Sequence, residues 1–138
     1  MLSISSKSRY GLKALLALAE SFDQGLLPIK EIAARQDIPR QYLEQIFNRL
    51  GKAEIIRSTR GKRGGYQLAR PPAEIMVSEI IILLEGGIEL ASRTDDPTDV
   101  VNALFRRMEK KLLEVLGLSL ADLLAQLQTS RKVPFYTI

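Results

Sequence analysis

Residues 39–70, PRQYLEQIFNRLGKAEIIRSTRGKRGGYQLAR, constrain the fold of this 138-residue chain more than any other stretch. Wound at about 100° per residue, Arg40–Lys52 places Leu43, Ile46, Phe47 and Leu50 on one face. The opposite face carries Gln41, Glu44, Gln45, Asn48, Arg49 and Lys52, with Tyr42 on its flank. Two strand-like pieces follow, Ile55–Thr59 and Gly65–Ala69, joined by Arg60-Gly61-Lys62-Arg63-Gly64. Arg57, Arg60, Lys62, Arg63 and Arg70 are basic, and no acidic residue interrupts them. Gly61, Gly64 and Gly65 are expected to take positive φ and to let the backbone approach another surface closely. A basic turn can be mere solvated surface. Beside a polar, hydrogen-bonding helix face it is instead what reading a DNA groove requires.

The preceding residues supply the rest of a compact unit. Hydroxyls at Ser3–Ser6 can cap a helix running from Ser6 to Ser21, with Leu12, Leu15, Leu16, Leu18, Ala19 and Phe22 as its apolar stripe. Lys7, Arg9 and Lys13 cluster near its start, where they could lie along a phosphate strand. Gly25–Pro28 breaks the chain, and IKEIAAR (Ile29–Arg35) forms a short helix. Asp37-Ile38-Pro39 turns into the next one, since proline is tolerated near a helix N-terminus. Helix, short turn, helix and hairpin is the winged helix-turn-helix order.

Beyond Pro71-Pro72 the composition changes. Ser78–Glu85 reads as an apolar helix stopped by Gly86-Gly87. Residues 88–95 read as an irregular loop. Asp96 is expected to cap a long helix, with Pro97 in its first turn and Asp99 close behind. Val101, Phe105, Met108, Leu112 and Val115 then recur at spacings of 4, 3, 4 and 3, with Arg106, Arg107, Lys110 and Lys111 outside. This is either a short coiled-coil seam for dimerisation or a face packed on the chain's own core. Gly117 ends it, and Ser119–Asp122 caps a last helix bearing Leu120, Leu123, Leu124 and Leu127. The expected fold class is mostly α with a small β-hairpin wing. Residues 1–85 form a winged helix-turn-helix domain; residues 86–138 supply a connecting loop, a dimerisation helix (Pro97–Leu116) and a C-terminal helix and tail.

Charge and composition point the same way. Residues 1–70 hold 13 Lys/Arg against 6 Asp/Glu, a balance of +7, whereas residues 71–138 carry −3. The N-terminal half is therefore expected to meet a polyanion. The chain has no cysteine and no histidine, which removes thiolate metal sites, Cys nucleophiles and the commonest general base. No catalytic residue, metal ligand or cofactor is expected. No apolar run of about 18 residues occurs, so no membrane span is expected and the protein should be cytoplasmic.

YGLKALLALAE (Tyr10–Glu20), IKEIAARQDIPRQYLEQIFNRL (Ile29–Leu50) and STRGKRGGYQLAR (Ser58–Arg70) together resemble the IscR/NsrR/CymR family of bacterial winged-helix regulators. SEIIILLEGG and the helix from Pro97 fit that family's dimerisation half. The resemblance implies a homodimer that binds double-stranded DNA at a palindromic operator. Its second HTH helix would enter the major groove while the wing touches the adjacent minor groove or backbone. By matching motif positions, Tyr42, Glu44 and Gln45 would read bases, Glu44 accepting from cytosine and Gln45 pairing with adenine. Arg60 would enter the minor groove. Lys7, Arg9, Arg40, Gln41, Arg49, Lys52, Lys62 and Arg63, with the backbone of Gly61, Gly64 and Gly65, would contact phosphates. Pro39 departs from the family, many members of which carry a helix-capping serine there.

The larger departure concerns sensing. Cluster-binding members place cysteines in the loop after LEG; here residues 86–98 contain neither Cys nor His. The chain thus resembles the cluster-free branch, whose best-known type represses cysteine and sulfur-assimilation genes. Its terminal Ile138 resembles the isoleucine with which serine acetyltransferases enter cysteine synthase. Phe135, Tyr136 and Ile138 are therefore candidates for docking into cysteine synthase or a related enzyme; the alternative is that the tail packs on the other subunit or frays. The function expected is a sequence-specific transcriptional regulator, a repressor, tied to sulfur or cysteine metabolism. The competing class is a winged-helix protein-interaction module working through a partner, which would have no use for a cationic wing.

Overall fold

A computed structural model describes residues 1–132. Phe135, Tyr136 and Ile138 lie outside the described residues. The chain forms α1 (Ser6–Glu20), α2 (Ile29–Gln36), α3 (Arg40–Lys52), β1 (Ile56–Thr59), β2 (Gly65–Leu68), a 3₁₀ turn (Pro72–Glu74), α4 (Val77–Glu85), α5 (Val100–Val115) and α6 (Leu120–Lys132). The winged helix-turn-helix is as expected. No helix among the described residues is long and apolar enough to cross a membrane.

Helix α1 runs through the centre, touching α2, α3, α4, α6 and β2. Ser8, Gly11, Leu15 and Leu18 stack along one of its sides and are buried, whereas Leu12, Leu16 and Phe22 are half-buried. Gly11 allows α4 to come close: a Cβ there would collide with Leu84 Cδ1. The turn into α3 is tight because Asp37 takes the left-handed conformation (φ 53°), and Ile38 N–H returns to Ala33 O at 3.0 Å. Glu54 (φ 59°) does the same after α3, where Ile55 N–H donates to Leu50 O at 3.0 Å. These two turns set α3 between α2 and the hairpin.

The strands pair antiparallel, Ile56 with Leu68 through Thr59 with Gly65. Of the three hairpin glycines only Gly61 has positive φ, +122°, so the expectation for Gly64 and Gly65 is corrected. Their value lies in the missing side chain. The linker between α1 and α2 bonds to the wing, Leu27 N–H to Tyr66 O at 2.9 Å and Tyr66 N–H to Leu27 O at 2.8 Å. A Cβ on Gly65 would lie 2.7 Å from the Leu27 carbonyl.

Helix α5 begins three residues later than Pro97. Asp99 is its cap, accepting from Asn102 N–H at 2.9 Å, while Asp96 accepts from the N–H (2.9 Å) and hydroxyl (2.7 Å) of Thr98. Proline at position 97 ends up in the approach to the helix rather than within it. Helix α6 returns to the body through a reciprocal Ser119–Asp122 capping box, with bonds of 3.0 and 3.1 Å. Leu120 is fully buried in the same core as α1 and α3. A boundary at residues 85–86 therefore does not separate two cores, because α6 completes the first one. Among the described residues, α5 and the loop before it pack least on that core.

Replacing Gly65 with Ala should destabilise the protein by about 1–3 kcal/mol, because the backbone of Leu27 must give way. Gly51→Ala, at an open position of α3, should stabilise it by about 0.5–1 kcal/mol. Urea unfolding of both variants measures the opposite signs.

Candidate nucleic-acid interface

The outer face of α3 carries Gln41, Glu44, Gln45, Asn48 and Lys52, all exposed, because Leu43, Ile46, Phe47 and Leu50 are all drawn into the core. Tyr42 is half-buried on the flank, edge-on to Tyr10 with ring centroids 5.4 Å apart. Arg40 and Glu44 form an i,i+4 pair at 3.2 Å. Both side chains are more than half exposed, so the pair is weak and both charges remain available to a ligand. Lys7 and Arg9 are exposed at the start of α1.

On the other flank Phe47 leans against Tyr66 of the wing, ring centroids 4.7 Å apart, locking the hairpin beside α3. Arg60, Lys62 and Arg63 project from the hairpin tip, exposed and without a hydrogen-bond or ion-pair partner among the described residues. Between helix and wing runs an open groove lined by Asn48, Lys52, Arg57 and Ser58. Asn48 and Arg57, legible in the sequence as part of the polar face and the basic run, gain a specific place beside Ser58. Asn48 falls two turns from Gln41 on the same face, a signal that was legible; Arg57 and Ser58 join only through strand pairing.

Three cations are bonded to carbonyls within the chain. Arg70 donates to Glu74 O at 3.0 Å and pairs with Glu79 at 2.5 Å, tying the wing's base to α4. Arg49 donates to Leu83 O and Leu84 O at the end of α4. Arg106, expected on the outside of α5, donates to Thr94 O at 2.9 Å.

The family comparison agrees with this geometry. Residues 4–126 match the model of the Rrf2 family, described as an iron-dependent transcriptional regulator. The chain belongs to the Rrf2 family. It is 35% identical over 115 residues to CymR of Bacillus subtilis, covering 83% of each chain. It is 34% identical over 128 residues to IscR of Xenorhabdus nematophila, covering 87% of this chain and 77% of the relative. The crystal structure of CymR, the global cysteine regulator of B. subtilis, superposes with a TM-score of 0.83 at 35% identity, over 91% of this chain and 98% of that one. T. potens IscR gives 0.82 at 36% identity, over 98% and 95%. These relatives are transcriptional regulators, and this Rrf2 chain is one as well.

The iron in the family's description does not fit the residues here. The chain offers no thiolate and no imidazole, and among the described residues no three carboxylates converge into a metal site. The loop before α5 is held by side chains. Glu109 accepts from the N–H groups of Leu90 and Ala91. Buried Asn102 accepts from Ser92 N–H at 2.8 Å and donates to Ser92 O at 2.9 Å, and Arg106 takes Thr94 O. Asn102, Arg106 and Glu109 occupy one helical face of α5.

The loop's other end is fixed by Glu85. Its carboxylate accepts from the hydroxyl of Ser5 at 2.6 Å and from its N–H at 2.7 Å, tying the end of α4 to the residue that precedes α1. The Ser5 hydroxyl, and then its N–H, hold the carboxyl of Glu85 below its ordinary range despite partial burial. A depressed folded-state pKa gives stability that is present above the unfolded pKa and lost as pH falls through the folded one. Wild type should therefore lose stability between about pH 5 and about pH 3 more steeply than Glu85→Gln. Urea midpoints across that range measure the difference, and parallel acid limbs would refute it.

Proposed function

We propose that this Rrf2 chain is a homodimeric, sequence-specific DNA-binding repressor that works without an iron–sulfur cluster and controls genes of sulfur or cysteine metabolism. The observation that carries the reading is the outward polar row of α3 set beside an unpaired cationic wing. Tyr42, Glu44, Gln45 and Arg60 are assigned to bases. Lys7, Arg9, Arg40, Gln41, Lys52, Lys62, Arg63 and the wing glycines are assigned to phosphates and the backbone.

Dimerisation is supported by α5. Val101 (59% exposed), Phe105 (39%), Met108 (40%) and Val115 (73%) are left bare by the chain's own body, and Val100 and Leu104 extend the patch. Among the described residues no element covers this face, which favours the seam over a face packed on the chain's own core. Leu112 is half-buried, against the apolar cleft between Ile81 and the N-terminal segment. An apolar stripe this continuous on a projecting helix is suited to a second copy of itself. The two recognition helices would then meet an inverted repeat on one face of the DNA. The sulfur assignment rests on similarity to CymR.

Genomic selection tests the proposal: purified protein is incubated with sheared source DNA, and the retained fragments are sequenced. Wild type should recover one palindromic motif upstream of a few genes, sulfur genes among them. Arg63→Ala should flatten the salt dependence of binding by about one unit of slope, Arg60→Ala should relax the sequence preference, and Phe105→Glu should give monomers that lose the palindrome. Retention without a motif would refute sequence-specific regulation.

The tail extends the proposal: Phe135, Tyr136 and Ile138 dock in cysteine synthase or a related enzyme. A synthetic Arg131–Ile138 peptide should bind purified cysteine synthase in calorimetry. Silence from both the peptide and the full chain would end the idea.

A further inference from the structure

Arg49 sits among the candidate phosphate contacts by sequence, yet its guanidinium, on an exposed residue, is bonded to the end of α4. Nη2 donates to Leu83 O at 2.9 Å and Nη1 to Leu84 O at 3.4 Å. These carbonyls belong to the last turn of α4, where no intrahelical donor reaches them and the helix dipole is negative. A planar guanidinium fork suits two adjacent acceptors better than a lysine ammonium does. The same turn holds α1 from the other side, through the Glu85 carboxylate on Ser5. Arg49 also shares a small cleft of about 70 Å³ with Lys7, Tyr42, Gln45, Ile46 and Leu84. Moving its guanidinium would disturb the wall on which Tyr42 and Gln45 stand.

We infer that Arg49 is a positioning residue and not a phosphate ligand: by bridging the Leu83 and Leu84 carbonyls it fixes the angle at which α3 presents Tyr42 and Gln45. The inference rests on the DNA-reading role proposed above and assigns that role's geometry to one side chain. It also gives α4 a function. The last turn of α4 leads through Gly86 and Gly87 (φ 85° and 131°) into the loop that Asn102, Arg106 and Glu109 bind to α5. The arm and the recognition helix are thus joined at a single turn.

Two variants of the full-length protein separate positioning from charge. Arg49→Lys keeps the cation and removes the fork; Arg49→Met removes both. Both are compared with wild type at a temperature where all three are fully folded. Hydrogen exchange without DNA should rise in α3 and residues 83–87 for Arg49→Met, and less for Arg49→Lys. Binding is then measured on a duplex recovered by genomic selection and on a scrambled duplex of equal length. Both variants should lose roughly tenfold in the ratio of the two affinities, while the salt slope stays at the wild-type value. A phosphate contact would show the reverse: wild-type behaviour for Arg49→Lys, and for Arg49→Met an unchanged ratio with about one unit less slope. That pattern, or unchanged exchange, overturns the inference. Failure of wild type itself to distinguish the duplexes would count against the proposed function, and the exchange measurement would still decide whether the clamp positions α3.

Discussion

At Gly11 the absence of a side chain lets Leu84 of α4 lie directly on α1. The contact lies at α4's last turn, which is bonded on both sides. Leu15 and Leu18 on the same helix are closed in by α2, α3 and α6; each buried leucine contributes about 1.5–3 kcal/mol. Arg49 then reaches the carbonyls of that turn from α3, and Glu85 reaches Ser5 at the start of α1. The recognition helix and the basic end of α1 are consequently held by opposite sides of one helix terminus. The wing is located separately, by Phe47 against Tyr66 and by the backbone bonds of Leu27.

The arm follows a different rule. Helix α5 offers two faces of opposite character. One, with Asn102, Arg106 and Glu109, spends its polar groups on the backbone of residues 90–94. The other is apolar and uncovered. Hydrogen bonds from a rigid helix order a loop as effectively as a ligand can, since each satisfies a backbone group that would otherwise need water. The carboxyl of Glu109 is held below its ordinary range first by the Ala91 N–H and then by that of Leu90, so the clamp stays charged at neutral pH. In this family member the chain itself makes the connection between arm and body.

Much of this was legible in residue order, because the signals are local. The 3.6-residue period of Arg40–Lys52 announced which side of α3 would be buried, and the run of glycines and cations announced a hairpin. The capping pair Ser119–Asp122 needed only its spacing. Residue order decides less where two capping residues or two roles compete. Asp96 and Asp99 both look like helix caps, and the choice falls to Asp99 because its carboxylate meets Asn102 N–H while that of Asp96 is taken by Thr98. Gly64 and Gly65 look like residues chosen for φ, but Gly65 is there to make room for Leu27. Arg49 and Arg70 look like surface cations, and both are bonded to α4 or its approach.

The sequence by itself determined the order of elements, the faces of α3, the basic wing and the lack of any cysteine or histidine ligand. Each depends on residues within a turn or two of one another, or on composition alone. Tertiary structure decided which cations are bonded within the chain, which glycines are sterically required and where the second half of the chain belongs. Those outcomes depend on contacts between residues as distant as Ser5 and Glu85, or Leu27 and Tyr66, which no local period encodes. It also decided that the apolar face of α5 would go uncovered by the described residues, since only the packed body shows which apolar side chains it has no room to cover.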